Sequence, residues 1–218
     1  MQLPVEQFDA LAKIPNCRHF FTRRVPGLDV SHDKAEALRR LEAAHLEIRR
    51  TLGVANLPLL TAEQIHGNKV AIVDLPIHSD KHFTGCDGLI TNQRGITLGI
   101  HVADCCAVYI VDPKTPAIGL VHSGKKGTEL AVVTSAIAQM RSGFGSKPSD
   151  LIVQLSPCIR PPHYEIDFAA KIIEQVRNHG VERIYDSGAC TACHVDRYYS
   201  YRAEKGRTGR MLALLGLV

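Results

Sequence analysis

The segment 96–127 constrains the fold more than any other part of the sequence, because it consists of three short apolar runs separated by turn residues. β-Branched residues dominate the runs 96–102, 107–111 and 117–121, a pattern typical of short buried strands. Aspartate–proline and threonine–proline pairs at 112–116 punctuate the last turn. The polar residues of the segment fall at the ends of the predicted strands, and we expect its chemistry there.

Thiol and imidazole groups stand at these strand ends. Asp104, Cys105 and Cys106 lie between the first two strands, and His122 closes the third. A thiol and an imidazole at neighbouring strand ends could form either a metal site or a nucleophile–base pair. His66, in the motif Gln-Ile-His-Gly, offers a second imidazole, and the glycine after it would let the backbone approach a site closely. From the local sequence alone, His66 is an equally good turn residue.

Apolar residues recur at helical spacing in three further stretches of the chain. They predict helices over 34–52, with Ser31 or Asp33 as the N-cap, over 128–140 and over 167–180. Further short strands are predicted at 19–24, 70–73, 85–91, 151–155 and 181–184. Strands that alternate with three helices indicate a single α/β or α+β domain over residues 1–218.

Charge, hydropathy and cysteine content narrow the functional classes. The net charge of +4 is spread along 218 residues, which favours a small anionic ligand and gives no reason to expect nucleic acid. No apolar run reaches the ~18 residues of a membrane span, and the N-terminus lacks the apolar core of a secretory signal. Seven cysteines without such a signal favour reduced thiols or metal ligands over disulfides. We therefore expect a cytoplasmic protein that is not a membrane partner.

The motif Cys190-x-x-Cys193-His194 matches the haem-attachment pattern of c-type cytochromes. That chemistry needs an exported protein and normally a further axial ligand in a small helical fold, and neither is predicted. A zinc ribbon would need a second pair of cysteines at knuckle spacing, and the sequence has none. Ordinary thiols are the favoured interpretation.

The loop 123–127, with the sequence Ser-Gly-Lys-Lys-Gly, leads into the helix predicted from residue 128. Free amides and the positive end of the helix dipole lie at such a terminus, so Lys125 and Lys126 make the loop an expected phosphate site. The glycine spacing by itself also occurs in ordinary turns between a strand and a helix.

Eight short motifs in order resemble the laccase-domain family. They are Phe-Phe-Thr-Arg (20–23), Gln-Ile-His-Gly (64–67), Asp-Gly-Leu-Ile-Thr (87–91), Ala-Asp-Cys (103–105), Gly-Leu-Val-His-Ser-Gly (119–124), Ser-Pro-Cys-Ile (156–159), Cys-Thr (190–191) and Tyr-Ser-Tyr-Arg (199–202). Members of this family were long described as multicopper polyphenol oxidases and are now described as zinc-dependent purine nucleoside phosphorylases.

The resemblance implies a single-domain α/β sandwich with a mixed β-sheet core flanked by helices, similar to certain bacterial toxin and deamidase domains. It implies a metal site formed by His66, Cys105 and His122. The implied reaction is phosphorolysis of adenosine, inosine, guanosine or methylthioadenosine to base and pentose 1-phosphate, with adenosine deamination as a side activity. The expected partners are therefore a purine nucleoside and phosphate, bound by a monomer or a homodimer.

The implied donor set suits zinc, because two imidazoles and one thiolate leave a fourth tetrahedral position open, as in catalytic zinc sites. Copper also accepts imidazole and thiolate, but a multicopper oxidase needs His-x-His clusters, and none of the 11 histidines forms one. Adjacent strand residues point to opposite faces, so Cys105 and Cys106 are not both expected in the site. Cys105 is favoured because it follows the Ala-Asp pair of its motif.

Other residues of the motifs are expected around this centre. Asp104 or Asp87 would act as a general base or orient a metal-bound histidine. Cys158 and Arg202 are expected either in the pocket wall or in a purely structural role, and the sequence favours neither alternative.

Phosphate is expected on the basic residues Lys125 and Lys126, together with Arg23. The family usually has His-Ala-Gly-Trp-Arg-Gly where this chain has His-Ser-Gly-Lys-Lys-Gly at 122–127. Lys126 would therefore hold phosphate as a point charge, without the bidentate fork of arginine.

Two further functional classes stay open at the level of sequence. In the first, Cys105 is the nucleophile of a hydrolase and His122 is its base. In the second, the protein is a non-enzymatic binding partner of cell-division or wall-synthesis machinery.

Overall fold

The computed structural model describes residues 4–218. Its strands are β1 (Val5–Glu6), β2 (Cys17–Thr22), β3 (Leu59–Ala62), β4 (Val70–Val73), β5 (Lys81–Phe83), β6 (Gly88–Thr91), β7 (Ile96–Val102), β8 (Cys106–Asp112), β9 (Ala117–Ser123), β10 (Ile152–Leu155), β11 (Arg183–Asp186) and β12 (Met211–Leu217). Its α-helices are α1 (Asp9–Ala12), α2 (Lys34–Thr51), α3 (Lys125–Glu129), α4 (Val132–Phe144) and α5 (Phe168–Asn178). Residues 1–3 of the predicted 1–218 domain lie outside the described residues.

The strands form two mixed six-stranded sheets. The first has the order β1-β2-β12-β7-β3-β5, and the second has the order β11-β10-β8-β9-β6-β4. The three predicted strands of the central segment are present as β7, β8 and β9, but β7 belongs to the first sheet and the other two to the second. The turn 103–105 therefore crosses from one sheet to the other, and so does the connection 63–69 between β3 and β4.

Strand alternation builds the core between the two sheets. In β7, Leu98 and Ile100 are fully buried in the same cluster as Ala107 and Tyr109 of β8. The intervening residues of β8, such as Val108, instead pack into a second cluster with α4 and α5. Because successive side chains of a strand point to opposite faces, the second sheet is apolar on both faces, which explains why its central strands read as continuous apolar runs.

Helices cover the outer faces of both sheets. The predicted helix from residue 34 is confirmed as α2, and its N-cap is Asp33, whose carboxylate accepts the N–H of Glu36. Ile48 of α2 packs with Phe20 and Leu214 on the outer face of the first sheet. α4 and α5 cover the second sheet. The predicted α/β sandwich, a mixed sheet core flanked by helices, is thus confirmed.

The helix predicted over 128–140 is wrong in its start and its continuity. α3 begins directly after β9, and the chain breaks at Ala131, which has φ +58° and ψ +40° in the left-handed region. The carbonyl of Ala131 accepts the N–H of Ser135 at 3.0 Å and the hydroxyl of Thr134 at 2.9 Å, so the break is also the start of α4. Helical spacing of apolar residues runs through this break and cannot reveal it.

In the described part of the chain, no helix combines the length and the apolar character needed to cross a bilayer.

Candidate metal centre

A cavity of about 570 Å³ opens where the two crossing connections meet the second sheet. His66, Cys105 and His122 lie in its wall. His66 comes from the connection between β3 and β4, Cys105 from the turn between β7 and β8, and His122 from the end of β9. The cavity has the size of a small-molecule site.

The ligand atoms of these three residues lie within 4.8 Å of one another. The Nε2 atom of His66 is 3.9 Å from the Sγ atom of Cys105. The rings of His66 and His122 meet edge to face with their centroids 4.8 Å apart. Two imidazole nitrogens and one sulfur that converge on an open cavity could hold a metal ion and leave a fourth position of a tetrahedron free. The three residues therefore fit a tetrahedral metal ion.

Asp87 organises two of the three ligands. Its fully buried carboxylate accepts the backbone N–H of His66 at 2.8 Å and of Gly67 at 2.7 Å. Its Oδ1 atom also lies 2.9 Å from the Nδ1 atom of His122. A proton on Nδ1 leaves Nε2 of His122 free to bind a metal, and a carboxylate behind a ligating histidine fixes both the ring and the tautomer.

His66 adopts a backbone conformation that non-glycine residues avoid, with φ +60°. Such a residue costs free energy and persists only where its surroundings hold it. The hydrogen bonds that the backbone N–H groups of His66 and Gly67 donate to the Asp87 carboxylate hold this conformation. The site therefore maintains strain at one of its own ligands.

Asp104 positions the turn that carries Cys105. Its carboxylate accepts the hydroxyl of Thr191 and the backbone N–H of Arg202, both at 2.7 Å, and its carbonyl accepts the N–H of Ile159 at 2.8 Å. Both carboxylate oxygens of Asp104 are thus used to tie three loops together. This geometry favours a positioning role for Asp104 over that of a general base.

A glycine faces the thiol of Cys105. A Cβ atom at Gly124 would lie 2.5 Å from the Sγ atom of Cys105, closer than two such atoms can approach. The neighbouring Cys106 points away, and its side chain is buried in the cluster that packs against α4 and α5. One of the two adjacent thiols therefore reaches the cavity, and it needs the absence of a side chain at Gly124.

The electrostatics of the centre favour a thiolate in the metal-free protein. Burial raises the pKa of Cys105, but the charge and hydrogen bonding of His122, with a further hydrogen bond from His66, outweigh it and bring the pKa down to about 6. For His122, burial lowers the pKa, whereas Cys105 and Asp87 raise it to about 9. The two groups form a coupled thiolate–imidazolium pair, and a thiolate is the form that binds metals.

The residues expected to bind substrate divide into two groups. Lys125 and Arg202 line the cavity, and both approach Glu165, with N···O distances of 3.8 and 3.3 Å. In the structure as described for residues 4–218, the cavity wall does not include the other three, which are Arg23, Lys126 and Cys158.

The positions of Arg23, Lys126 and Cys158 in the fold explain why they do not line the cavity. Arg23 follows β2, where its N–H donates to the carbonyl of Pro4. Lys126 lies on α3 beyond the wall that Lys125 reaches, and Cys158 is fully buried while its neighbour Ile159 lines the cavity. For Cys158, the alternative structural role accords with this burial.

Several cavity residues lie outside the predicted set. The rings of Tyr164 and Phe168 meet edge to face at 5.8 Å and give the cavity an aromatic wall. Gln64, next to the predicted His66, exchanges two hydrogen bonds with the backbone of His101. The other such residues in the wall include Lys34, Tyr201 and Arg210. Gln64 and Tyr201 belong to the motifs 64–67 and 199–202, which assign them no role, whereas no motif marks Lys34, Tyr164, Phe168 or Arg210.

Comparison with known proteins identifies the family. A family model described as multi-copper polyphenol oxidoreductase laccase matches residues 22–170 and 163–218. The chain belongs to this laccase family. The family description names copper, whereas the three residues of the centre are a donor set that does not by itself fix the metal.

Curated relatives of the laccase-family chain carry a different name. The purine nucleoside phosphorylase YlmD of Geobacillus stearothermophilus is 30% identical over 192 residues, which cover 71% of this chain and 70% of the relative. A purine nucleoside phosphorylase of Deinococcus radiodurans is 28% identical in a 242-position alignment. This alignment covers 95% of this chain and 92% of the relative. The crystal structure of the Geobacillus YlmD superposes with a TM-score of 0.84 at 21% identity, covering 99% of both chains. This last likeness establishes the shared fold.

Proposed function

We propose that this protein is a zinc-dependent purine nucleoside phosphorylase. The observation that carries the proposal is the convergence of His66, Cys105 and His122 at a cavity with an aromatic wall, in a chain whose relatives are named purine nucleoside phosphorylases. Aromatic side chains suit a purine, because they stack on its flat ring system. We infer that the 1–218 chain acts as one domain in the cytoplasm, as a monomer or a homodimer.

The proposed metal ligands are His66, Cys105 and His122. They leave a fourth tetrahedral position open, as in catalytic zinc sites, and the sequence lacks the His-x-His clusters of a multicopper oxidase, so zinc is proposed over copper. When bound, zinc would supply Lewis-acid polarisation of a substrate oxygen or of water. Asp87 would hold the ring of His122 through its Nδ1 proton, and Asp104 would hold the turn of Cys105. Neither aspartate needs to change its protonation for these roles.

In the proposed reaction, a phosphate oxygen attacks C1′ of the nucleoside and the C1′–N bond breaks. The base leaves and takes up a proton, and the pentose keeps the phosphate at C1′. Tyr164 and Phe168 would contact the base, while Arg202 and Lys125 would contact the polar part of the substrate from the wall. Adenosine, inosine, guanosine and methylthioadenosine are the proposed substrates, and deamination of adenosine is the proposed side activity.

A specific observation also favours a second candidate. The lowered pKa of Cys105 beside His122 is the arrangement of a nucleophile and its base, so a cysteine-dependent hydrolase is the alternative. It predicts inactivation by iodoacetamide and indifference to chelators, whereas the zinc enzyme loses activity with its metal.

The test uses purified protein of measured metal content, incubated with adenosine or inosine with and without phosphate. Adenine or hypoxanthine should appear with ribose 1-phosphate only when phosphate is present, and His122→Ala should abolish turnover. His78→Ala removes an exposed histidine and serves as the matched control, with unchanged rates. Turnover that persists after complete removal of the metal would reject the proposal. Inosine formed from adenosine, with no phosphorolysis of either nucleoside when phosphate is present, would restrict it to the deaminase.

A further inference from the structure

We propose that Arg210 and Lys34 form the phosphate subsite of the cavity, an inference that rests on the phosphorolysis proposed above. The sequence directs attention to Lys125 and Lys126 for this role. The charges around the cavity point instead to two cations that are distant in sequence, one before β12 and one at the start of α2.

Arg210 is a nearly buried cation that forms no ion pair among the described residues. The residue is 8% exposed and lines the cavity. Its Nη1 atom donates to the carbonyls of Thr208 at 2.7 Å and Gly209 at 2.9 Å, and its guanidinium lies 5.8 Å from the centre of the Tyr201 ring. None of the ion pairs in residues 4–218 includes Arg210. Asp104, Cys105 and Glu204 attract this charge without contacting it. A buried charge without a contacting counterion is costly, so an anion from solution is the expected partner.

Lys34 places a second positive charge beside the first. Its Nζ atom donates to the carbonyl of Glu63 at 3.4 Å, and it too makes no ion pair among the described residues. Burial lowers the pKa of Lys34, and the positive charge of Arg210 lowers it further. Glu63 and Asp87 oppose this shift of the Lys34 pKa, and an anion that contacts both cations would stabilise them further.

Lys125, which competes for the role of phosphate ligand, already has an acidic partner. Lys125 shares Glu165 with Arg202 at the edge of the same cavity, so this three-residue group carries one net positive charge. Lys126 lies outside the wall in the described structure. Among the lysines and arginines of the cavity wall, Arg210 and Lys34 are therefore the two that form no ion pair with a described residue.

The donors that remain on Arg210 and Lys34 suit phosphate chemistry. Nε and Nη2 of Arg210 make no hydrogen bond to residues 4–218, and these two atoms form the edge of the guanidinium that binds two phosphate oxygens at once. The ammonium of Lys34 adds a compact point charge. The same chemistry would bind free inorganic phosphate or the 5′-phosphate of a nucleotide, and the proposal commits to inorganic phosphate as the co-substrate.

The test compares four variants of the zinc-loaded protein by their KM values for phosphate and for inosine. Arg210→Gln should raise the KM for phosphate about tenfold to a hundredfold, and Lys34→Gln about tenfold, which are the losses expected for charged hydrogen bonds. The KM for inosine should change by less than about threefold, since these interactions are separate from the base. Lys171→Gln removes an exposed charge of α5 and should behave as wild type. A rise in the KM for phosphate in Lys125→Gln, with none in Arg210→Gln, would overturn the proposal.

A binding measurement separates this inference from the proposed function. Calorimetric titration of inorganic phosphate into wild type and the variants measures the affinity of the subsite for phosphate without any turnover. Phosphate binding that depends on Arg210 would support the inference even in a protein that cleaves no nucleoside. Binding of adenosine 5′-monophosphate through Arg210, with none of inorganic phosphate, would overturn it.

Two measures keep the test independent of folding. Circular dichroism and metal content must match wild type for each variant, because Arg210 also donates to its own loop. Arg210→Lys keeps the charge and loses the fork, so it should recover part of the phosphate affinity lost in Arg210→Gln. Full affinity for phosphate in a folded Arg210→Gln/Lys34→Gln double variant would reject the subsite.

Discussion

Asp87 and His122 are joined twice, once through the side chain and once through the backbone. The Asp87 carboxylate lies 2.9 Å from Nδ1 of His122, and the Asp87 carbonyl accepts the backbone N–H of His122 at 2.6 Å. The second contact comes from the pairing of β6 beside β9. The position of the carboxylate behind the imidazole is therefore fixed by the sheet itself.

Asp87→Asn should lower the affinity for zinc about tenfold to a hundredfold, the range found when a carboxylate behind a ligating histidine is removed. The amide keeps one oxygen for hydrogen bonding but cannot accept bonds from both His66 and Gly67 while holding His122. Competition with a chromophoric chelator measures the affinity, and Asp74→Asn at an exposed position is the control. An unchanged affinity in Asp87→Asn would contradict the orienting role.

Gly124→Ala should displace the thiol of Cys105, because the new Cβ atom would lie 2.5 Å from Sγ. We expect a loss of zinc binding of at least about tenfold, as for other disturbed ligands. Gly143→Ala in α4 meets no heavy atom within 4 Å and should be neutral or stabilise the protein by about 1 kcal/mol. Equal zinc affinity in the two variants would show that the close approach has no consequence.

Cys105 should react with iodoacetamide near neutral pH in the metal-free protein. Its pKa of about 6 means that the thiolate dominates above pH 6, whereas the pKa of the exposed Cys193 is raised, chiefly by hydrogen bonding to Cys190. Peptide mapping by mass spectrometry as a function of pH should place half-maximal labelling of Cys105 well below that of Cys193. Bound zinc should protect Cys105, and labelling at the same pH for both thiols would contradict the ion pair with His122.

The free energy of unfolding should fall as the pH is lowered below 6.5, because burial favours the neutral form of three histidines, His19, His45 and His101, and lowers the pKa of His101 to about 3. Burial lowers the pKa of His19 and of His45 to about 4, and Nε2 of His19 accepts the N–H of Phe8 at 2.8 Å. Between pH 6.5 and 4 the unfolded chain binds more protons than the folded one, so stability decreases towards acid. The loss is up to about 2 kcal/mol per histidine from pH 6.5 to 5.

Urea unfolding at pH 7 and pH 5 checks this pH dependence. A variant such as His45→Leu should lose less stability between the two pH values than wild type does. An identical loss in wild type and variant would assign the acid sensitivity to other groups, such as the thiolate of Cys105.

The amino-acid pattern predicts the parts of this fold that depend on local spacing. β7, β4 and α2 appear at or within one residue of their expected limits, because alternation, helical periodicity and the cap at Asp33 are local signals. The assignment of β7 and β8 to different sheets depends on long-range pairing with β12 and β10, which no local pattern carries. The break between α3 and α4 at Ala131 is missed for a similar reason, since alanine is not a residue type that indicates a left-handed backbone conformation.

The residues of the candidate metal centre and its cavity also divide into those that local motifs predict and those that depend on long-range contacts. The three candidate ligands come from the family motifs, and the structure brings them together. Arg210 and Lys34 were not predicted, because their importance lies in the missing counterion and in their mutual approach. Both are properties of the assembled charge distribution rather than of any short stretch of residues.

Two of the three candidate metal ligands lie on connections that pass from one sheet to the other, and the third lies on the second sheet. An ion at this centre would fasten both crossings to β9, so its binding free energy would also oppose separation of the two layers. The melting temperature and the force needed to unfold the protein should then rise with metal occupancy. A shortage of the ion would lower the stability of the whole fold as well as any activity that needs the metal.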